Sequence, residues 1–168
     1  LGYKVGILDA DVSYSNIFPM FGIQAKVNQT ADGKFMPVEK FGVKCVSMVG
    51  LLNTPDEPIT WRGPLCSKVI SQLAKETVWG NLDFLLIDFP SGLPDHSVGL
   101  LQAFAIDGIA LVTTPQKIAV LDAKRTANAL ELFQIPLLGV IENMRGEIFG
   151  ERGGATLAEE VRVPFLGS

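Results

Sequence analysis

What this chain of 168 residues lacks narrows the field first. It has no run of basic residues, and its 14 Lys and Arg are outnumbered by 18 Asp and Glu, leaving a net charge of −4. Duplex binders cluster Lys and Arg, and so do polybasic membrane-surface segments, so neither nucleic acid nor membrane is expected as a partner. No apolar stretch approaches the ~20 residues of a membrane-spanning helix, because Asp, Lys, Pro or Gly breaks each one. The two cysteines, Cys45 and Cys66, fit no metal-ligand spacing and read as free, buried thiols, which points to a cytoplasmic protein. The single histidine, His96, reads as an exposed helix-start residue rather than a catalytic one. The opening "LGYKVGILDAD" has neither the layout of a secretion leader nor an initiating Met. It reads as the tail of one element running into a strand, so a fragment of a longer chain is expected.

What is present is mostly apolar: 48% of residues are hydrophobic and 19% charged, with a mean hydropathy of +0.31. That composition predicts one globular domain whose strands are buried on both faces, as in a parallel sheet covered by helices. Residues 4–10, 42–50, 82–89, 108–114 and 136–143 read as strands. A helix is expected after Pro64, with Leu65, Val69 and Leu73 on its apolar face, and another over 117–133, with a stripe of Val120, Ala123, Ala127, Leu130 and Phe133. Further helices are expected over 96–106 and 154–161, and 24–35, with its Asp32-Gly33 pair, reads as a surface excursion or small hairpin. Strand–helix alternation of this kind predicts an α/β fold: a doubly wound, mainly parallel sheet with helices on both faces.

In such sheets ligands bind beyond the carboxyl ends of the strands. Three strands end in polar residues there: Asp9 and Asp11 after the first, Asp88 and Asp95 after the third, Asn143 after the last. Asp95 reads equally as a helix cap. Asp88 follows Phe84, Leu85, Leu86 and Ile87, and an unpaired carboxylate in apolar surroundings is costly, so it needs a cation, a hydroxyl or backbone N–H groups. Thr113, Thr114 and Gln116 close a further strand, where a turn role serves as well as a ligand contact.

Four segments in order resemble one family. "KVGILDAD" is similar to the second strand and first switch of MinD/ParA-type deviant P-loop ATPases, and "LDFLLIDFPSGLPD" to their Walker B strand and second switch. "ITWRGPLCSKVISQL" and "GVIENMRGEIFGERGGATLAEEVRVPFLG" resemble the Mrp/ApbC/Nbp subgroup of ATP-dependent iron–sulfur cluster carriers. The resemblance implies ATP and Mg²⁺ as cofactors, a homodimer around ATP, a 4Fe-4S cluster as cargo and apo iron–sulfur proteins as recipients. It implies that Asp11 and Asp9 are catalytic, Asp11 orienting the attacking water and Asp9 holding a Mg²⁺-bound water. Asp88 would bind the metal, while Asn143, Gly92, Asp95 and Pro115 would contact the nucleotide, Asn143 reading the adenine edge. Arg62 of "WRGP" is either an anion contact or a brace of the helix start.

The departures are as specific as the matches. The family's G-K-G-G-V-G-K-S/T loop and the strand before it are not among these residues, so one partial P-loop domain over 1–168, truncated at its N-terminus and short at its C-terminus, is expected. "ENM" runs straight into "RGEIFG", where relatives carry C-x-x-C. "DADVSYSN" stands for D-A-D-x-x-G-P-S and "PSGLPD" for P-P-G-T-G-D, Leu93 and Pro94 stiffening a loop that normally has glycine's freedom. The alternatives that these departures keep open are a catalytically impaired scaffold and a MinD/ParA-like positioning ATPase.

Overall fold

The structure is a computed structural model that describes residues 2–12, 14–52, 54, 57, 63–93 and 95–168, the side chains at 63, 95, 96, 102 and 103 excepted. Ile59 to Arg62 and Pro94 therefore lie outside the described residues, as do the side chains of Asp95 and His96. The chain divides into two compact units, Leu1–Ala103 and Phe104–Ser168.

The first unit carries β1 (Val5–Asp9), α1 (Ile17–Phe21), β2 (Asn28–Gln29), β3 (Phe35–Met36), β4 (Val38–Lys40), β5 (Val43–Val46), α2 (Gly63–Glu76), β6 (Phe84–Asp88) and α3 (Asp95–Ala103). Its sheet has the order β4-β5-β1-β6, with β5 and β6 parallel to β1 and β4 antiparallel at the edge. β2 and β3 form the expected small hairpin, turned through Asp32 and a left-handed Gly33. The expected strand over 42–50 stops at Val46. From Met48 to Leu51 the chain coils into a 3-10 turn, because Gly50 is wedged under Phe18 and Val27, where a Cβ would come within 2.6 Å of both.

β1 is buried because small residues let its neighbours close on it. A Cβ on Gly6 would lie 2.6 Å from a Leu82 methyl and 3.0 Å from the Trp79 ring, so only glycine admits them. The Trp79 indole N–H donates to the Ala74 carbonyl of α2 at 3.0 Å, and the Lys44 ammonium donates to the Trp79 carbonyl at 2.6 Å. α2 turns Cys66, Ile70, Leu73 and Ala74 inward, while Leu65 is 46% exposed. The buried face is thus one residue out of phase with the expected Leu65–Val69–Leu73 stripe, because small Cys66 and Ala74 admit close packing.

The second unit carries β7 (Ile109–Thr113), α4 (Lys117–Leu132), β8 (Leu137–Glu142), α5 (Gly153–Glu160) and β9 (Phe165–Gly167), its sheet parallel throughout in the order β7-β8-β9. Leu111, Ala123, Ala127, Val140, Leu157 and Ala158 form its core, with Val120 and Val163 packed at the margin. The expected α4 stripe holds through Leu130, whereas Phe133, just past the helix end, is 40% exposed.

Strand burial departs from the expectation of apolar surroundings on both faces. β6, the most apolar strand by sequence, is exposed along most of its length, and Val112 of β7 and Leu138 of β8 are exposed too. β6 pairs with β1 on one edge, and among the described residues no strand pairs with the other.

Candidate functional site

Parallel pairing of β1 and β6 sets Asp9 directly opposite Asp88, one strand spacing (~4.8 Å) apart. The Ala10 N–H closes the ladder onto the Asp88 carbonyl at 2.9 Å, so both carboxyl groups leave the same end of the sheet. Asp9 is fully buried. Its Oδ2 accepts the Ser47 hydroxyl at 3.0 Å and the Ile17 N–H at 3.2 Å, and its Oδ1 accepts the Asp11 N–H at 3.3 Å. Burial nonetheless pushes its pKa up to about 6, with the charge of Asp88 adding to the rise and the hydrogen bonds opposing it.

Asp88 stands at the exposed edge. Partial burial first, and then the negative charge of Asp11, hold its carboxyl above the usual range. Asp11 orders the segment that follows: its Oδ1 accepts the Tyr14 N–H at 3.0 Å, and its carbonyl accepts the Ser15 hydroxyl at 2.7 Å. Three of the four acids named from the sequence, Asp9, Asp11 and Asp88, are therefore one electrostatic unit. Like charges so placed are relieved by a cation. Among the described residues no group of three or more His, Cys, Asp or Glu is placed to hold a metal ion by itself. A divalent cation beside Asp88 would complete its shell with water and a bound anion, as Mg²⁺ does with phosphates.

Beyond Asp88 the chain turns through Gly92, whose φ is 79° and whose missing Cβ would meet nothing within 4 Å. Leu93 follows with φ 49°, a left-handed conformation that costs a leucine roughly 1–2 kcal/mol. Asp95 opens α3.

In the second unit the Asn143 N–H donates to the Thr113 carbonyl at 2.7 Å, tying the ends of β8 and β7 together. The Asn143 Oδ1 accepts the N–H of Met144, itself left-handed at φ 59°, at 2.9 Å. Pro115 is buried, and Gly153 is packed so closely on its carbonyl that a Cβ there would overlap it. Thr114 Oγ1 is buried with no hydrogen-bond partner among the described residues. Asp9, Asp11 and Asp88 are thus gathered in the first unit, and Pro115 and Asn143 in the second. Two buried polar residues stand out that motif reading passed over: Ser47, which holds Asp9, and Glu142, which accepts two backbone N–H groups. Each sits at or just past a strand end, and that position was the available signal.

Over residues 1–168 the chain matches the model of the ParA family described as NUBPL iron-transfer P-loop NTPase. The chain belongs to this family. Members with curated names include the iron–sulfur cluster carrier proteins of Methanococcus maripaludis, 40% identical over 99% of this chain and 62% of that protein, and of Aquifex aeolicus, 39% identical over 100% of this chain and 49% of that one. This chain therefore spans about half to two thirds of the length of those relatives. Among solved structures, a nucleotide-binding protein from Archaeoglobus fulgidus in complex with ADP superposes with a TM-score of 0.78 at 29% identity, covering 98% of this chain and 68% of that one. The cell-division ATPase MinD of Pyrococcus furiosus shares the fold, with a TM-score of 0.65 at 18% identity over 98% of this chain and 69% of that one. Parallel-dominated sheets with helices are the architecture common to these P-loop NTPases. No helix among the described residues is long and apolar enough to cross a membrane.

Proposed function

We propose that the full-length protein is a cytoplasmic, ATP-hydrolysing iron–sulfur cluster carrier that dimerises around nucleotide and passes clusters to apo iron–sulfur proteins. The observation that carries this reading is the in-register pair Asp9 and Asp88, with Asp11 close enough to raise the Asp88 pKa. Phosphoryl transfer asks a protein chiefly for positioning and charge neutralisation, which such a cluster supplies.

In this reading Asp88 faces the Mg²⁺ of the nucleotide through water, since Mg²⁺ dehydrates reluctantly. When bound there, Mg²⁺ would supply neutralisation of the charge developing on the transferred phosphoryl group. Asp9, held by Ser47 and the Ile17 N–H, anchors the loop. Asp11 lies on the loop itself and orients the attacking water, accepting its proton. Gly92 leaves room for a backbone approach to the terminal phosphate, and Asp95 at the start of α3 closes that switch. Asn143 reads the base through the Nδ2 of its side-chain amide, a hydrogen-bond donor, its Oδ1 being held by the Met144 N–H. The phosphate-binding loop that this chemistry needs is not among these 168 residues, so the proposal concerns the full-length protein.

The cluster is cargo, and these residues do not hold it. Cys45 and Cys66 are buried and burial pushes both thiols up, which disfavours the thiolate that binds iron. In this reading the cluster thiolates are supplied by cysteines other than Cys45 and Cys66. The test measures Mg-ATP binding and hydrolysis by full-length wild type and Asp11→Ala, together with iron and sulfide content after anaerobic reconstitution. The expected result is hydrolysis lowered by about 100-fold or more with binding retained, the size of effect a positioned base produces. A wild type that binds Mg-ATP without hydrolysing it, or that takes up no cluster, overturns the reading.

A further inference from the structure

Glu142 is the buried carboxyl group that the proposed chemistry leaves unused. It is the last residue of β8, next to Asn143, and only 3% exposed. Its Oε2 accepts the Gly154 N–H at 2.7 Å and its Oε1 the Arg152 N–H at 3.1 Å. Both oxygens are thus spent on the first turn of α5, where a negative charge also meets the positive end of the helix dipole. The fit is tight: a Cβ on Gly154 would lie 2.9 Å from the Glu142 Cβ, and neighbouring Gly153 rests on the Pro115 carbonyl. A left-handed Arg152, φ 68°, turns the chain into this arrangement.

One carboxylate therefore joins the end of β8 to the start of α5, and through Gly153 to Pro115. The segment 143–151 is a loop whose two ends are fastened at that point. Asn143 is its first residue, with its N–H on Thr113 and its Oδ1 on the Met144 N–H, which leaves its Nδ2 as the group available to a ligand. We propose that Glu142 is the positioning residue of base recognition: by capping α5 with both oxygens it holds Asn143 and the Pro115 wall at the separation that a nucleobase requires. This rests on the reading of Asn143 as the base reader.

The test compares full-length wild type, Glu142→Gln, Asn143→Ala and the double variant by calorimetry with ATP and with ribose 5′-triphosphate, which has the same phosphates and no base. Gly154→Ala, which displaces the cap while leaving Glu142 in place, serves as an independent perturbation should the Gln variant not fold. The expected result is a loss of about tenfold for ATP in Glu142→Gln and Gly154→Ala, with ribose 5′-triphosphate binding unchanged and no further loss when Glu142→Gln is added to Asn143→Ala. Equal weakening of both ligands marks a structural role and overturns the inference, as does a Gln variant that discriminates as well as wild type. A wild type that binds both ligands alike overturns the base reading itself, and the inference with it.

Discussion

β1 and β6 lie side by side, five residues each, in register from Val5 opposite Phe84 to Asp9 opposite Asp88. β6, Phe-Leu-Leu-Ile-Asp, is the more apolar by sequence, yet β1 is the buried strand: Leu8 and Asp9 are fully enclosed, whereas Leu86 is 53% exposed. The difference lies in neighbours. β1 has β5 on one edge, β6 on the other, and Trp79 and Leu82 closing over Gly6. β6 has one partner. Burial is thus a property of what surrounds a strand, and two aspartates one strand apart acquire different chemistry from it: Asp9 is an enclosed, hydrogen-bonded anchor and Asp88 an exposed acid facing another negative charge.

The sharpest way to break this comparison is to truncate both strands equally. Leu8→Ala is expected to cost about 3 kcal/mol and Leu86→Ala less than about 1 kcal/mol in urea unfolding. Equal costs would show that β6 is covered in solution.

A smaller effect separates the two acids. The Asp9 carboxyl has a folded-state pKa of about 6 against an ordinary value of 3.8, so the folded protein holds more protons between those limits. Stability therefore falls as pH rises from about 4 to about 6, and the penalty is fully present above that window. Asp9→Asn should remove that slope, read from melting curves across pH, while lowering stability at about pH 4, because its NH2 group cannot accept the hydrogen bonds that one of the two Asp9 oxygens now accepts. Asp88→Asn, at an exposed site, should change the slope in the same sense by less. An unchanged Asp9→Asn profile would mean that Asp9 is not the group that sets the slope.

The smallest expected change is at the turn after β6. Leu93→Gly should stabilise by less than about 1 kcal/mol, because release from the left-handed conformation is partly cancelled by the greater entropy of a glycine in the unfolded chain. A clear loss of stability would show that the Leu93 side chain supplies packing that outweighs its strain.

Much of this arrangement was legible in the residues. Strand positions followed from apolar runs, and Asp9, Asp11 and Asp88 followed from their place at strand ends, because the carboxyl edge of a parallel sheet is where side chains converge. The α4 stripe held through Leu130 because helical period is a local property. The burial of β6 was not legible, since a run of Phe, Leu and Ile states a preference and not whether a neighbour exists to satisfy it. The phase of α2 was missed for a related reason: Cys66 and Ala74 are less conspicuous than Leu65, but small side chains admit the closest approach. Glu142 was hidden inside a quoted motif, because its role depends on a helix that starts ten residues later.

Trp79 gives the β1 face an optical consequence. Its ring lies against Gly6 while its indole N–H is held by Ala74 of α2, so one chromophore touches both the strand that carries Asp9 and the helix beside it. The chain has two tryptophans, and replacing Trp61 with phenylalanine leaves Trp79 as its only tryptophan, excited selectively at about 295 nm. Its emission wavelength and quantum yield then follow the docking of α2 on β1 in real time, without a label, during unfolding or on mixing with nucleotide.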